Sequence, residues 1–157
     1  MTHTKLERLI RSHFALDCRG IHGASHWARV RENGLRLAKL TAAQPKVVEL
    51  FALLHDSRRF NNGRDPKHGS RAAQYARFLA GVAFQIEAAD LDLLADACHG
   101  HSEGLMTGDI TVLTCWDADR LDLGRVGVRP RPERLCTPAA RDAGLIEWAY
   151  RRSLMAD

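Results

Sequence analysis

The chain has 157 residues, 45% of them apolar, and a formal net charge of +4, enough to bury one core but not a second of ordinary size, so a single domain over residues 1–157 is expected. The basic excess is mostly arginine spread along the chain rather than gathered in a tail or stripe, which argues against a specific nucleic-acid partner. MTHTKLERLIRSHF has charges among its apolar positions and no apolar run reaches membrane-spanning length, so the expected protein is cytoplasmic and has no membrane partner.

The chain reads as helices throughout. Leu6, Leu9, Ile10 and Phe14 fall at helical spacing in an amphipathic helix over Lys5 to Leu16, and Cys18 to Gly23 follows as a loop. Ser25 is the expected cap of a second helix from about His26 to Ala43, with His26 in its first turn. Pro45 suits the first turn of a third helix, because its missing N–H costs nothing there. This central helix, VVELFALLHDSRR over Val47 to Arg59, is so apolar that it belongs inside a core. Asn61-Asn62-Gly63 breaks it, and Asp65-Pro66 starts a helix to Leu79 with His68 in its first turn.

Ala88 to about Cys98 is the next helix, interrupted by His99-Gly-His101-Ser-Glu-Gly104. Asp109 to about Leu123 follows, carrying Asp117 and Asp119 in its last turns. Gly124 to Pro138 is rich in Gly, Pro and Arg and should be irregular. A last helix, about 139–155, is expected to pack on the rest. The fold class is therefore all-α, a bundle of six to seven helices without a convincing strand pair. Cys18, Cys98, Cys115 and Cys136 show no C-x-x-C spacing and read as reduced structural thiols. Trp27, Trp116 and Trp148 fall beside apolar helix positions and read as core.

The polar residues that need explaining begin at the adjacent pair His55-Asp56, at the end of the apolar central helix. An imidazole and a carboxylate there can both reach one divalent cation if other helices supply the remaining ligands. Alone, the dipeptide reads better as a polar helix end, because such a pair is common. Arg58, Arg59, Arg64, Lys67 and Arg71 follow it closely. Arg58 and Arg59 suit phosphate oxygens because a guanidinium donates bidentately. His68, at a helix start, could join them beside free backbone N–H groups. A solvated basic loop is the competing reading.

His26 lies upstream in SHWARVRENGLRLA and Asp119 downstream in CWDADRLDLGRVG. With the His55-Asp56 pair between them, the chain resembles the HD-domain superfamily of metal-dependent phosphohydrolases. His26, Arg29, Val30, Leu37 and Ala38 match the opening H-x-x-R-V helix, and Ala118, Asp119, Arg120 and Leu121 match the closing A-D-R-L segment. The resemblance covers about residues 22–125. It implies an HD-type bundle with His26, His55, Asp56 and Asp119 as ligands of a divalent metal ion, whether Mn, Fe, Mg, Co, Ni or Zn. Four such ligands leave positions open on an ion that prefers six.

The reaction this implies is hydrolysis of a small phosphorylated metabolite or a nucleotide by metal-activated water, with His55 and Asp56 in the catalytic set and Asp56 a candidate proton acceptor. The alternative is a sensor or partner module of the same fold that binds metal and nucleotide without turnover. Some members add histidines for a second metal. His101 is the best match to that position, with His99 and His68 behind it, and all three otherwise line the cleft. Asp117 is expected to orient a ligand histidine or Arg120, or to lie in solvent. His22 is expected to line the cleft as a hydrogen-bond donor.

Overall fold

The computed structural model describes residues 3–155. Among these described residues seven α-helices follow one another: α1 His3–Ser12, α2 Ala24–Thr41, α3 Pro45–Leu54, α4 His68–Leu79, α5 Ala88–Gly100, α6 Ile110–Arg120 and α7 Ala143–Ser153. Two short 3₁₀ turns, Leu123–Val126 and Pro132–Arg134, lie within the stretch expected to be irregular. Among the described residues there is no strand, only an isolated bridge between Ala80 and Phe84 in the α4–α5 connection.

α3 is the hub of the bundle. Seven of its ten residues are buried, with Val47, Val48, Phe51, Ala52 and Leu54 fully so. α2, α5 and α6 surround it, and α4 lies against α5. The main core joins α3 to Leu6, Ile10, Trp27, Val30, Ala72, Ala76, Leu94, Cys98, Val112 and Trp116. Leu37, Leu121, Leu135, Leu145, Ile146 and Ala149 form a second cluster that seats α7. Trp116 is core and also donates from Nε1 to Ala97 O at 3.0 Å, which ties α6 to α5. Trp148 departs from expectation, being half-buried between the guanidinium groups of Arg36 and Arg152. The cysteines are all free thiols.

Three local differences from the expected elements bear on function. The cap of α2 is Gly23, not Ser25. A Cβ at Gly23 would lie 2.1 Å from Cys18 O, so the chain comes too close there for any side chain. α3 stops at Leu54 rather than running to Arg59, since Ser57 gives both its N–H and its hydroxyl to Leu54 O, at 3.0 and 2.7 Å. His55 and Asp56 therefore stand in a turn just past the helix. α4 starts at His68 without a cap from Asp65, whose carboxylate is instead held by Phe60 N and Arg71.

Candidate metal centre

Five helix ends converge at the centre of the bundle. His26 comes from the first turn of α2, His55 and Asp56 from the end of α3, His68 from the start of α4, His101 from the end of α5 and Asp119 from the last turn of α6. α4 reaches the centre because Gly69 lets it approach α5. A Cβ at Gly69 would lie 2.6 Å from Cys98 O and 2.7 Å from His99 O.

The side chains form two clusters that share Asp56. In the first, His26 Nε2 is 3.0 Å from His55 Nε2, 3.3 Å from Asp119 Oδ1 and 3.5 Å from Asp56 Oδ2. His55 Nε2 lies 3.6 Å from Asp56 Oδ2 and 3.7 Å from Asp119 Oδ1. In the second, His68 Nε2 is 2.9 Å from His101 Nε2, and each is 3.3 Å from Asp56 Oδ1. The two oxygens of one carboxylate thus face different histidine pairs. Adjacent corners of an octahedron with bonds of about 2.1 Å are about 3.0 Å apart, so these spacings suit ligands around a cation.

The second nitrogen of each ring decides what the first can do. His26 Nδ1 meets Asp122 Oδ2 at 2.7 Å, and His55 Nδ1 meets Phe51 O and Ala52 O at 3.1 and 3.2 Å. His68 Nδ1 meets Asp65 O at 2.5 Å and His101 Nδ1 meets Cys98 O at 2.7 Å. An acceptor oxygen beside Nδ1 requires the N–H there, so in all four neutral rings the Nε2 lone pair points to the centre. Two lone pairs about 3 Å apart repel unless a proton or a cation lies between them. The donor set, four imidazole nitrogens with carboxylate oxygens, fits divalent transition metals.

Without a cation, protons fill that role. Burial and the Arg125 charge oppose the charged form of His26, yet its hydrogen bonds to Asp119, Asp122 and Asp56 outweigh them and raise its pKa to about 9. Burial lowers its partner His55 to about 3, so one member of the pair carries the shared proton. In the second cluster burial also opposes charge on His101, but Asp56 raises it. Burial pushes Asp56 and Asp119 up, and the facing histidines hold both well below the ordinary carboxylate range.

Asp122 was missed by the sequence reading. It is fully buried and spans His26 Nδ1 and Arg29 Nε, the latter also at 2.7 Å, so it is the carboxylate that fixes the ring of His26. Its spacing offered a signal: Asp122 follows Asp119 by three residues, as Arg29 follows His26. Arg125 was missed too. It is anchored on Ile21 O and Asp122 O, and its Nη2 lies 3.9 Å from Asp119 Oδ1.

The other expected residues divide. Arg59 reaches the centre, with Nε donating to Asp56 Oδ1 at 3.0 Å and Nη1 held by Asn61 O and Gly63 O. His22 is buried 6.5 Å from the ring of His26, bonded to Asn62 Oδ1 and lowered in pKa chiefly by burial. Arg58 instead lies over the Tyr75 ring at 4.9 Å. His99 is exposed, two residues before His101 and turned from the cluster by the helix. Asp117 orients neither a ligand histidine nor Arg120. Its buried carboxylate accepts from Cys136 N, Thr137 N and Thr137 Oγ1 at 2.6, 2.8 and 2.7 Å, and so secures the segment before α7.

The centre opens to solvent at Asp119, whose side chain is 15% exposed against 3% for Asp56. A cavity of about 290 Å³ begins there, with Asp119 and His101 in its wall. No helix among the described residues is long and apolar enough to cross a membrane.

No protein-family model matches the chain, and no curated protein matches its sequence. The crystal structure of a predicted HD superfamily hydrolase from an uncultured Thermotogales bacterium is similar to it, with a TM-score of 0.70 and 28% identity over 94% of this chain and 84% of that one.

Proposed function

The chain has the HD-domain fold, and from its two histidine clusters joined by Asp56 we propose that it is a metal-dependent phosphohydrolase of a small phosphorylated metabolite or nucleotide. The observation that carries this reading is the direction of the four rings. Every Nδ1 is occupied by an acceptor oxygen, and every Nε2 faces a partner 2.9 to 3.0 Å away. His26, His55 and Asp119 would hold one ion with Asp56 Oδ2, and His68 and His101 would hold a second with Asp56 Oδ1. A divalent pair supplies Lewis acidity toward a phosphoryl oxygen and lowers the pKa of water.

The residues of the chain do the remainder. Arg59 and Arg125, each pinned by backbone carbonyls, place fixed positive charge beside the two carboxylates, where phosphoryl oxygens would sit. Hydrolysis joins the oxygen of water to phosphorus, breaks the bond to the leaving oxygen and passes that oxygen a proton. Both oxygens of Asp56 are engaged, so the proton acceptor in this reading is Asp119, the more open carboxylate. The small cavity beside the centre suits a compact organic group.

The test is metal content by elemental analysis together with phosphate release from a panel of phosphate esters and anhydrides, with Mn, Mg, Fe, Co, Ni and Zn supplied in turn. His55→Ala and Asp56→Ala should abolish metal-dependent turnover. Stoichiometric metal with no turnover of any compound would instead favour a sensor of the same fold.

A further inference from the structure

The cavity at Asp119 and His101 leads away from the metal centre between two walls, the 102–106 loop and the 123–135 segment. Arg120 joins the walls: Nη2 donates to Leu105 O at 2.6 Å and Nη1 to Arg134 O at 3.1 Å, with Met106 Sδ and Cys136 Sγ also in reach. Both of its terminal nitrogens are therefore committed to holding the walls together. Met106, Leu123, Pro130 and Leu135 give the cavity an apolar lining, and the exposed Arg131 and Arg134 share its wall.

The charges in the lining are uneven. Asp119 is the only acidic residue in it, and it belongs to the metal centre. Arg131 lies 3.4 Å from Glu133, both more than half exposed. The guanidinium of Arg134 has no hydrogen bond or ion pair among the described residues. Its backbone is nonetheless fixed, by the 3₁₀ turn from Pro132 to Arg134 and by the bond from Arg120. A cavity of about 290 Å³ lies at the lower end of the range for small-molecule sites and holds one compact organic group.

We propose that this cavity selects phosphate esters whose organic part carries a second anionic group, and that Arg134 is the residue that recognises it. The inference rests on the hydrolase reading for the placement of the scissile phosphate at the metal centre. One cavity wall thus combines residues of the metal centre, apolar side chains and a guanidinium without a partner among the described residues, which matches a molecule with a phosphate, an apolar part and a second anion. Arginine at the rim can take a carboxylate or a second phosphate through the same two-pronged donation.

The test uses phosphonates, whose P–C bond resists hydrolysis, so that binding is read without turnover. Benzylphosphonate is compared by calorimetry with relatives bearing a para carboxylate directly, on one methylene or on three, using the metal-loaded full chain. At least one carboxylate should bind about two- to fivefold more tightly than benzylphosphonate, the scale of one exposed arginine–carboxylate pair. Arg134→Gln should abolish that preference and Arg134→Lys should keep part of it, both leaving benzylphosphonate affinity within about twofold. A wild type without preference for any carboxylate, or a preference that survives in Arg134→Gln, overturns the inference. Hydrolysis of 4-nitrophenyl phosphate by the same wild-type sample separates the two readings. Turnover with no carboxylate preference sinks only the role of Arg134, and absent turnover of this ester and of every compound in the phosphate panel sinks the hydrolase while the affinity ratio still tests the cavity.

Discussion

Replacing Asp122 by Asn keeps the shape of the side chain and removes the charge that holds His26. In the native protein one oxygen accepts from His26 Nδ1 and the other from Arg29 Nε, each at 2.7 Å, at a position with no solvent exposure. An amide offers one acceptor and one donor, so its NH₂ must face either the imidazole or the guanidinium, donor against donor. Losing one charge-assisted bond in a buried setting costs about 1.5–3 kcal/mol of stability. The metal effect is separate. A carboxylate that fixes a ligand histidine contributes about 10–100-fold to affinity, which is about 1.4–2.7 kcal/mol of metal-derived stabilisation when metal is in excess. At about 2–4 °C per kcal/mol for a domain of this size, the rise in Tm on adding metal should shrink by roughly 3–10 °C. Calorimetric metal titration and paired melting curves with and without metal measure both parts. Metal affinity within about threefold of wild type in Asp122→Asn would refute the idea that Asp122 positions His26 as a ligand.

Three further substitutions probe other parts of the account. Gly69→Ala puts a Cβ within 2.7 Å of two α5 carbonyls, so α4 must move off and stability should fall by about 1–3 kcal/mol; widening the His68–His101 gap should weaken one metal equivalent more than the other in a calorimetric titration. Asp117→Ala removes the acceptor of three hydrogen bonds to Cys136 and Thr137, and should cost about 3 kcal/mol in urea unfolding and speed amide exchange at both residues while leaving metal affinity near wild type. Ala42→Gly relieves a left-handed residue, φ +59°, at the end of α2, and should raise stability by about 0.5–1 kcal/mol in the same urea assay.

The residues of the His/Asp cluster could be picked out because they stand on recognisable segments: His26 in an H-x-x-R-V helix, His55-Asp56 after an apolar run, Asp119 before Arg-Leu. Apolar periodicity likewise placed every helix of the bundle, since burial of one face imposes it. Element ends were less legible, because side-chain hydrogen bonds decide them. Ser57 ends α3 by bonding Leu54 O, and Asp142, through Leu145 N at 2.9 Å, delays α7 to Ala143 where about residue 139 was expected. The partners of Asp117 and Asp122 depend on tertiary contacts that no local pattern encodes. Asp117 faces the 136–137 segment, while Asp122 lies buried beneath His26. His99 and His101 are two residues apart in sequence, and only the path of α5 separates an exposed ring from one in the cluster.

The most direct test of the account is the number of metal ions bound per chain, read by native mass spectrometry with elemental identification on wild type, His68→Ala and Asp56→Ala. Two ions in the wild type, one in His68→Ala and neither at full occupancy in Asp56→Ala are the expected results, since Asp56 serves both clusters. A wild-type chain that binds no divalent ion, or one whose occupancy is indifferent to Asp56, would contradict the centre described above.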